Sequence, residues 1–420
     1  MRSAPARNAK PPTRPAAQVR RGRIDLGIGM SRTLATIAAD RLGDAFGRSL
    51  PRTPEHLADV RVINALVEAS AGSGARTLPP LERASLAGVT FPSSNCTNFL
   101  VDLECADEAD DAPRTAYAKI PCRELATRAF AGALGFWKVE LAFCRSLAGR
   151  MPVRVPTVYA AQERGARFVL LLENLTESPE TRLFVNRDMA AGTSLERARR
   201  CLRTFAELHA AFWGLPHERR DALLPERLHF YLSPGGRSRT LALNAAAIAP
   251  AHRAAPGVFK SEHAALCRTA AGKWDAIVDR WYAEPLTLVH GDSHLANCFE
   301  YPAADGPRIG LLDFQGTHWC HGLRDVQYFL AFSLDPALLE RHEDELVAFY
   351  LGELAARGVD VDVDAARRRY RGYSLQTLMV AATSLGLGAL TETDATVRTV
   401  LERAVAAADR LDLRSWVERV

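Results

Sequence analysis

The sequence predicts an α+β fold in two lobes: a small antiparallel-sheet N-lobe over residues 30–175 and a larger, mainly helical C-lobe over 176–420. Strand-like runs crowd between Thr97 and Leu172, whereas helical periodicity dominates after Leu175. The chain has 420 residues, long enough to divide into two lobes. Residues 1–29 are basic and proline-rich and lack the apolar centre of a signal peptide, so they read as a disordered leader, with Met30 as an alternative start.

Along the N-lobe, apolar residues recur at helical spacing, first at Leu34, Ile37, Ala38 and Leu42, then at Leu57, Val60, Ile63, Leu66 and Val67. After a turn-rich stretch over 72–80, Thr97 to Cys105 alternates as a strand. The acidic segment 106–111 connects it to a second strand from Thr115 to Ile120. One long helix is expected from Glu124 to Leu147, and two strands near 157–162 and 167–172. In the C-lobe, helices are expected over 193–213, 261–283, 336–356, 365–387 and 393–416.

Composition narrows the function. Net charge is +4, with 24% charged and 48% hydrophobic residues, which does not fit a nucleic-acid binder built on one strong basic patch. No run is apolar for long enough to cross a membrane. The eight cysteines form no Cys-x-x-Cys pair and read as reduced thiols of a cytoplasmic protein. Only five of the 53 basic residues are lysines, so each lysine is informative.

The chemistry concentrates in Leu288-Val-His290-Gly-Asp292-Ser-His294-Leu-Ala-Asn297, followed by Leu311-Leu-Asp313-Phe-Gln315. Two short loops, each launched from an apolar run, carry an Asp, an Asn and a second Asp. Phosphoryl transfer from a nucleotide needs that set: one carboxylate for the attacking hydroxyl, and an amide oxygen with a second carboxylate for magnesium. Asp292 is assigned as the base, orienting the hydroxyl more than stripping its proton early, and Asn297 and Asp313 as the Mg2+ ligands. His290 is read as a brace for its loop, while His294 either meets a phosphate or lines the loop. The cluster from Thr317 to His321 lacks a second ligand pair at zinc spacing and is read as structural.

Lys119 sits inside a strand, where a lysine needs a partner, and a nucleotide site needs a cation on the α- and β-phosphates. Glu140 is the candidate partner and Glu124 its competitor. The turn Ser93, Ser94 and Asn95 is the candidate cover for the phosphates, although it has no glycine. Glu173 and Leu175 end a strand at the lobe junction, where backbone groups can pair with an adenine edge.

Together these residues resemble the aminoglycoside phosphotransferase and choline kinase superfamily, and within it the ecdysteroid-kinase-like group. The resemblance covers about Leu81 to Arg371. It rests on Ala118-Lys119, Glu140 with Phe143, Leu171-Leu-Glu-Asn-Leu175, Leu208-His-Ala-Ala-Phe-Trp213, His290 to Asn297 and Asp313-Phe-Gln315, with Gly322 to Leu330 behind them. It implies a protein-kinase-like bilobal fold, ATP (or GTP) as donor, a small-molecule hydroxyl as acceptor, and a fold-stabilising Asp325. This chain departs from the pattern in its glycine-poor phosphate turn and in Asn174, where many relatives have Asp.

The leading reading is an Mg-ATP-dependent small-molecule kinase acting on an antibiotic sugar, an amino alcohol or a sterol-like alcohol. Trp319, Tyr328, Phe332, Tyr373 and Leu385 favour an apolar acceptor, since few acidic residues accompany them. A non-catalytic nucleotide-binding module is the alternative, but it has no use for Asp292. A metal-dependent phosphoesterase would need more ligands than His290 and His294 add. A protein kinase would show an activation segment ending in Ala-Pro-Glu.

Overall fold

The computed structural model describes residues 15–44, 50–72, 74–91, 95–106, 112–388 and 394–420. The N-lobe is a five-stranded antiparallel sheet in the order β1-β2-β3-β5-β4: β1 (Leu81–Phe91), β2 (Cys96–Cys105), β3 (Thr115–Pro121), β4 (Val158–Arg164) and β5 (Arg167–Glu173). Alternation along β3 and β5 sends successive side chains to opposite faces. Ala118, Ile120, Val169 and Leu171 pack in a small core with Ile63, Leu66 and Val67, while Phe168 and Leu170 join the main core.

Helices α1 (Pro15–Asp44), α2 (Val60–Ser70), α3 (Leu125–Leu134) and α4 (Phe136–Ser146) complete this half. The single helix expected from Glu124 to Leu147 is two. Gly135 adopts a left-handed conformation (φ 77°) that closes α3, and α4 leaves in a new direction. The C-lobe holds α5 (Asn186–Ala191), α6 (Leu195–Ala211), α7 (His217–Leu223), α8 (Gly236–Ala254), α9 (Ser261–Gly272), α10 (Trp274–Trp281), α11 (Leu323–Ser333), α12 (Pro336–Ala355), α13 (Val363–Leu387), α14 (Asp394–Arg410) and α15 (Leu413–Arg419). The segments expected over 261–283 and 393–416 are therefore each broken in two.

Five short strands carry the loops of interest. These are β6 (Arg182–Leu183), β7 (Thr287–Val289), β8 (Cys298–Ala303), β9 (Gly306–Leu311) and β10 (His318–Cys320). They form one sheet of β6, β8 and β9 and one ribbon of β7 with β10.

The leader expectation needs correcting from residue 15 onward; residues 1–14 lie outside the described residues. Pro15 opens a 30-residue helix, where its missing N–H costs nothing. The first half of α1 packs on α8, with Gln18 donating to Asp275 (3.0 Å). The second half packs on α3, and Asp40 accepts from the Ala166 amide (2.9 Å). Two residues of the expected apolar stripe, Leu34 and Leu42, are exposed instead. Docking requires small residues here: a Cβ on Gly22 would lie 1.8 Å from the Ser238 carbonyl oxygen, whereas one on Gly27 would meet nothing within 4 Å.

Those two glycines test the docking. Gly22→Ala is expected to lower stability by about 1–3 kcal/mol through overpacking. Gly27→Ala is expected to raise it by up to about 1 kcal/mol through helix propensity. Denaturant midpoints that move the same way in both variants would show α1 undocked.

Candidate active site

Lys119 is the third-last residue of β3 and points away from the small core, towards α4. Its Nζ donates to Glu140 Oε1 at 2.6 Å and lies 3.4 Å from Asp313 Oδ1. Lys119 and Glu140 are almost fully buried, so the ammonium has no water to fall back on. Burial works to discharge Lys119, but Asp313 and Glu140 outweigh it and hold its pKa well above the ordinary lysine value. Glu124, the competitor, caps α3 by accepting from the Ala126 (3.1 Å) and Thr127 (2.7 Å) amides.

The loop after β7 is fixed by a buried carboxylate. Asp325, near the start of α11, accepts the amides of His290 (2.6 Å) and Gly291 (3.1 Å). Its own charge is matched by His209 Nε2 (3.3 Å) and Arg324 Nη1 (3.2 Å). Burial opposes ionisation, yet the His209 hydrogen bond and the Arg324 guanidinium drive its pKa far below the carboxylate range. Gly291 has φ 85°, and a Cβ there would sit 1.7 Å from the Gly316 carbonyl oxygen, so only glycine fits where the two loops cross.

His290 stitches the loops together. Its Nε2 donates to the Leu312 carbonyl (2.9 Å), and its Nδ1 accepts the Asp292 amide (3.2 Å). Burial lowers its pKa, so the ring is neutral and serves as a brace. Asp313 stands in the left-handed region at φ 63°, unusual for a non-glycine residue and a sign of backbone strain held by its surroundings. Phe314 secures it by stacking on Phe143 of α4 at 3.7 Å and 5°.

Asp292 receives the Tyr328 hydroxyl on Oδ1 (2.9 Å) and Asn297 Nδ2 on Oδ2 (3.1 Å). His294 Nε2 lies 3.6 Å from the same Oδ2. Burial would raise the Asp292 pKa, but His294 and His290, the Tyr328 hydroxyl and Arg324 together lower it. The group is thus an ionised, weak base. Because the Asn297 amide nitrogen is spent on Asp292, its Oδ1 is the free end, and no protein donor reaches it among the described residues. That oxygen and the Asp313 carboxylate are hard donors of the kind magnesium takes from proteins. Among the described residues no cluster of three or more His, Cys, Asp or Glu could hold a metal alone. A pair of ligands completed by phosphates and water fits this chain; a zinc site does not.

The nucleotide-side expectations fare unevenly. Ser93 and Ser94 lie outside the described residues, and Asn95 begins the approach to β2. Glu173 has its polar groups committed within the protein: its carboxylate pairs with Arg154 and accepts from Thr157 (2.9 and 3.0 Å), and its amide donates to the Thr157 carbonyl (2.8 Å). Leu175 is buried at the start of a short 3-10 turn that Asn174 caps. Of the expected acceptor walls, Trp319, Tyr328, Phe332 and Tyr373 are buried in the main core, and Leu385 packs against it. Sequence reading missed the Phe143–Phe314 stack and the His209 support of Asp325; both pairs lie far apart in sequence. The eight cysteines are all free, and no described helix is long and apolar enough to cross a membrane.

The sequence model of the ecdysteroid kinase-like family matches residues 144–360, just over half of the chain. No curated protein gives a significant sequence match. Among solved structures, a microcompartment-associated aminopropanol kinase is 15% identical, with 81% of this chain and 94% of that chain covered and a TM-score of 0.41. An ethanolamine kinase from Plasmodium vivax is 11% identical over 77% and 81% of the two chains (TM-score 0.46). An aminoglycoside phosphotransferase from Streptomyces rimosus, solved with ADP and streptomycin, is 17% identical over 80% and 99% (TM-score 0.39).

The buried imidazoles make stability depend on pH. Burial lowers His318 to about 4 and His321 to about 3, against an ordinary value of 6.5. Between those limits the unfolded chain binds more protons than the folded one, so stability falls as pH falls below 6.5. A loss of about 2 kcal/mol between pH 7 and 5.5 is expected from these two rings. Equal denaturant midpoints at the two pH values would mean that both rings are hydrated.

Proposed function

The chain belongs to the ecdysteroid kinase-like family, and from that premise we propose that it is an Mg-ATP-dependent kinase transferring the γ-phosphoryl group to a hydroxyl of a small molecule. The observation that carries this reading is the buried Lys119, held between Glu140 (2.6 Å) and Asp313 (3.4 Å), with Asp292 and Asn297 joined on the adjoining loop. A protein that only bound nucleotide would need the lysine but not an ionised Asp292.

In this mechanism Lys119 neutralises the α- and β-phosphates while Glu140 keeps it extended. Asp292, itself aimed by Tyr328 and Asn297, accepts a hydrogen bond from the acceptor hydroxyl and orients its oxygen at the γ-phosphorus. Its low pKa suits a loose transition state, in which the proton leaves late. Asn297 Oδ1 and Asp313 would hold magnesium, which offsets the charge building on the phosphate oxygens. The Glu173 amide is already committed to Thr157, so pairing with the purine edge falls to the backbone of Asn174 and Leu175.

Thermal melting with magnesium and ATP or GTP tests the donor site, because a ligand that binds only the native state raises the melting temperature. A magnesium-dependent rise with one nucleotide is expected; no rise with either would overturn the reading. Asp292→Ala should lower turnover by about 10²–10⁴-fold with the nucleotide-induced shift intact, and near-wild-type turnover would remove Asp292 from its role. Asp313→Asn should raise the magnesium concentration needed for half-maximal activity. An unchanged metal titration would place the ion elsewhere.

A further inference from the structure

Three buried polar atoms beside the Asp292 loop end without a hydrogen-bond partner among the described residues: His229 Nε2, Tyr282 Oη and His318 Nε2. Their rings touch. His229 meets His318 at 4.7 Å and Tyr282 at 4.8 Å, both edge to face, and Tyr282 lies 6.0 Å from His318. Buried polar atoms left unsatisfied are costly, and three in one place point to a shared hydrogen-bonding partner.

The tautomers follow from the partners of the other ring nitrogens. His318 Nδ1 lies 2.8 Å from the Gly316 carbonyl and must carry a proton, so its Nε2 offers a lone pair. His229 Nδ1 accepts the amides of Tyr231 (3.1 Å) and Leu232 (3.0 Å), so its proton sits on Nε2, which is a donor. The Trp319 backbone interacts with the His229 ring and favours its protonated form, but at longer range or poorer angle than a full hydrogen bond, so the Nε2 proton is left under-satisfied. Tyr282 can give or take. One acceptor, one donor and one hydroxyl of either sense match the needs of a single alcohol group, whose O–H donates once and whose oxygen accepts.

The position and charge are equally specific. His318 Nδ1 is 3.1 Å from where a side chain on Gly291 would begin, and Gly291 precedes Asp292. His229 and His318, though neither Tyr282 nor Asp292, line a narrow cleft of about 10 Å³, room for a single hydroxyl, with Val139, Leu224 and Trp319; its one acidic lining residue, Glu226, is exposed. Burial first disfavours a positive charge on either imidazole; the next cause is the neighbouring His318 for His229 and the Arg324 guanidinium for His318, with Arg324 a smaller contribution at His229. Arg324 is fixed 4.7 Å over the Tyr328 ring and bonded to Asp325 and Gln376. An ammonium group in this place would meet the same repulsion.

We propose that His229, Tyr282 and His318 form a recognition site for a second, non-reacting hydroxyl of an uncharged acceptor. The site would select diols and polyols over monoalcohols and over amino alcohols. This deepens the phosphotransferase reading and rests on it for calling the bound molecule an acceptor.

Linear α,ω-diols of two to six carbons serve as a ruler, each set against the monoalcohol and the ω-amino alcohol of equal length. Saturation-transfer NMR reports their binding to the Mg-ATP-loaded protein, and phosphate-transfer assays report reaction. At one chain length the diol should bind about tenfold better than both comparators, the worth of one added hydrogen bond. Tyr282→Phe, which removes one oxygen, should abolish the preference while leaving the melting temperature in place. Asp292→Asn should keep it and lose transfer. Equal binding of diol and monoalcohol at every length, no binding by any of them, or a preference that survives Tyr282→Phe would overturn the site and assign the three atoms to a buried water. A diol preference with no transfer by the wild type would keep the site and sink the kinase reading instead.

Discussion

One buried carboxylate holds the reactive half of the molecule in register. Asp325 has no exposure, takes two amides from the loop before Asp292, and is paid for by His209 and Arg324. Buried ions persist only when every lone pair is used, and here each partner belongs to a different element. His209 brings α6, Arg324 belongs to α11, and His290 and Gly291 bring the loop after β7. Neutralising Asp325 would therefore strand a buried guanidinium and free two amides at once, so the cost would fall on loop geometry as much as on stability.

From that anchor the order spreads outward. His290 carries it to Leu312, so the residue before Asp313 is held by the same loop that presents Asp292. Phe314 carries it on to α4 through Phe143, and α4 holds the glutamate that positions Lys119. Charged groups from two lobes are thus placed by a chain of contacts that are themselves mostly uncharged. Such a relay suits electrostatic work, because preorganised groups need not reorient when charge develops.

Much of this was legible in the sequence wherever the signal was local. The spacing of Asp292 and Asn297, and a lysine isolated in an apolar strand, each carry their meaning within ten residues. Glu140 and Glu124 could not be separated without knowing where the helix breaks, and Gly135 decides that by adopting a conformation that the periodicity does not reveal. Helix α8 escaped because its alanines blur the apolar stripe and Pro250 lies within it. The leader misled for a related reason: α1 docks through glycines and backbone instead of a leucine face. Long-range pairings such as His209 with Asp325, 116 residues apart, leave no trace in a single sequence.

The same helix has a mechanical side. At about 1.5 Å per residue α1 is a rod of about 45 Å, and it is fastened at both ends to different bodies. Its first half lies on α8 and reaches Asp275 of α10, while its second half lies on α3 and binds the β4–β5 turn and Arg167. A stiff rod bonded across a joint removes degrees of freedom: hinge opening in any plane containing the rod must bend it or peel it off. The lobes are left to twist about its axis or slide along it, so ligands would enter and leave through a shear of the two lobes rather than a gape.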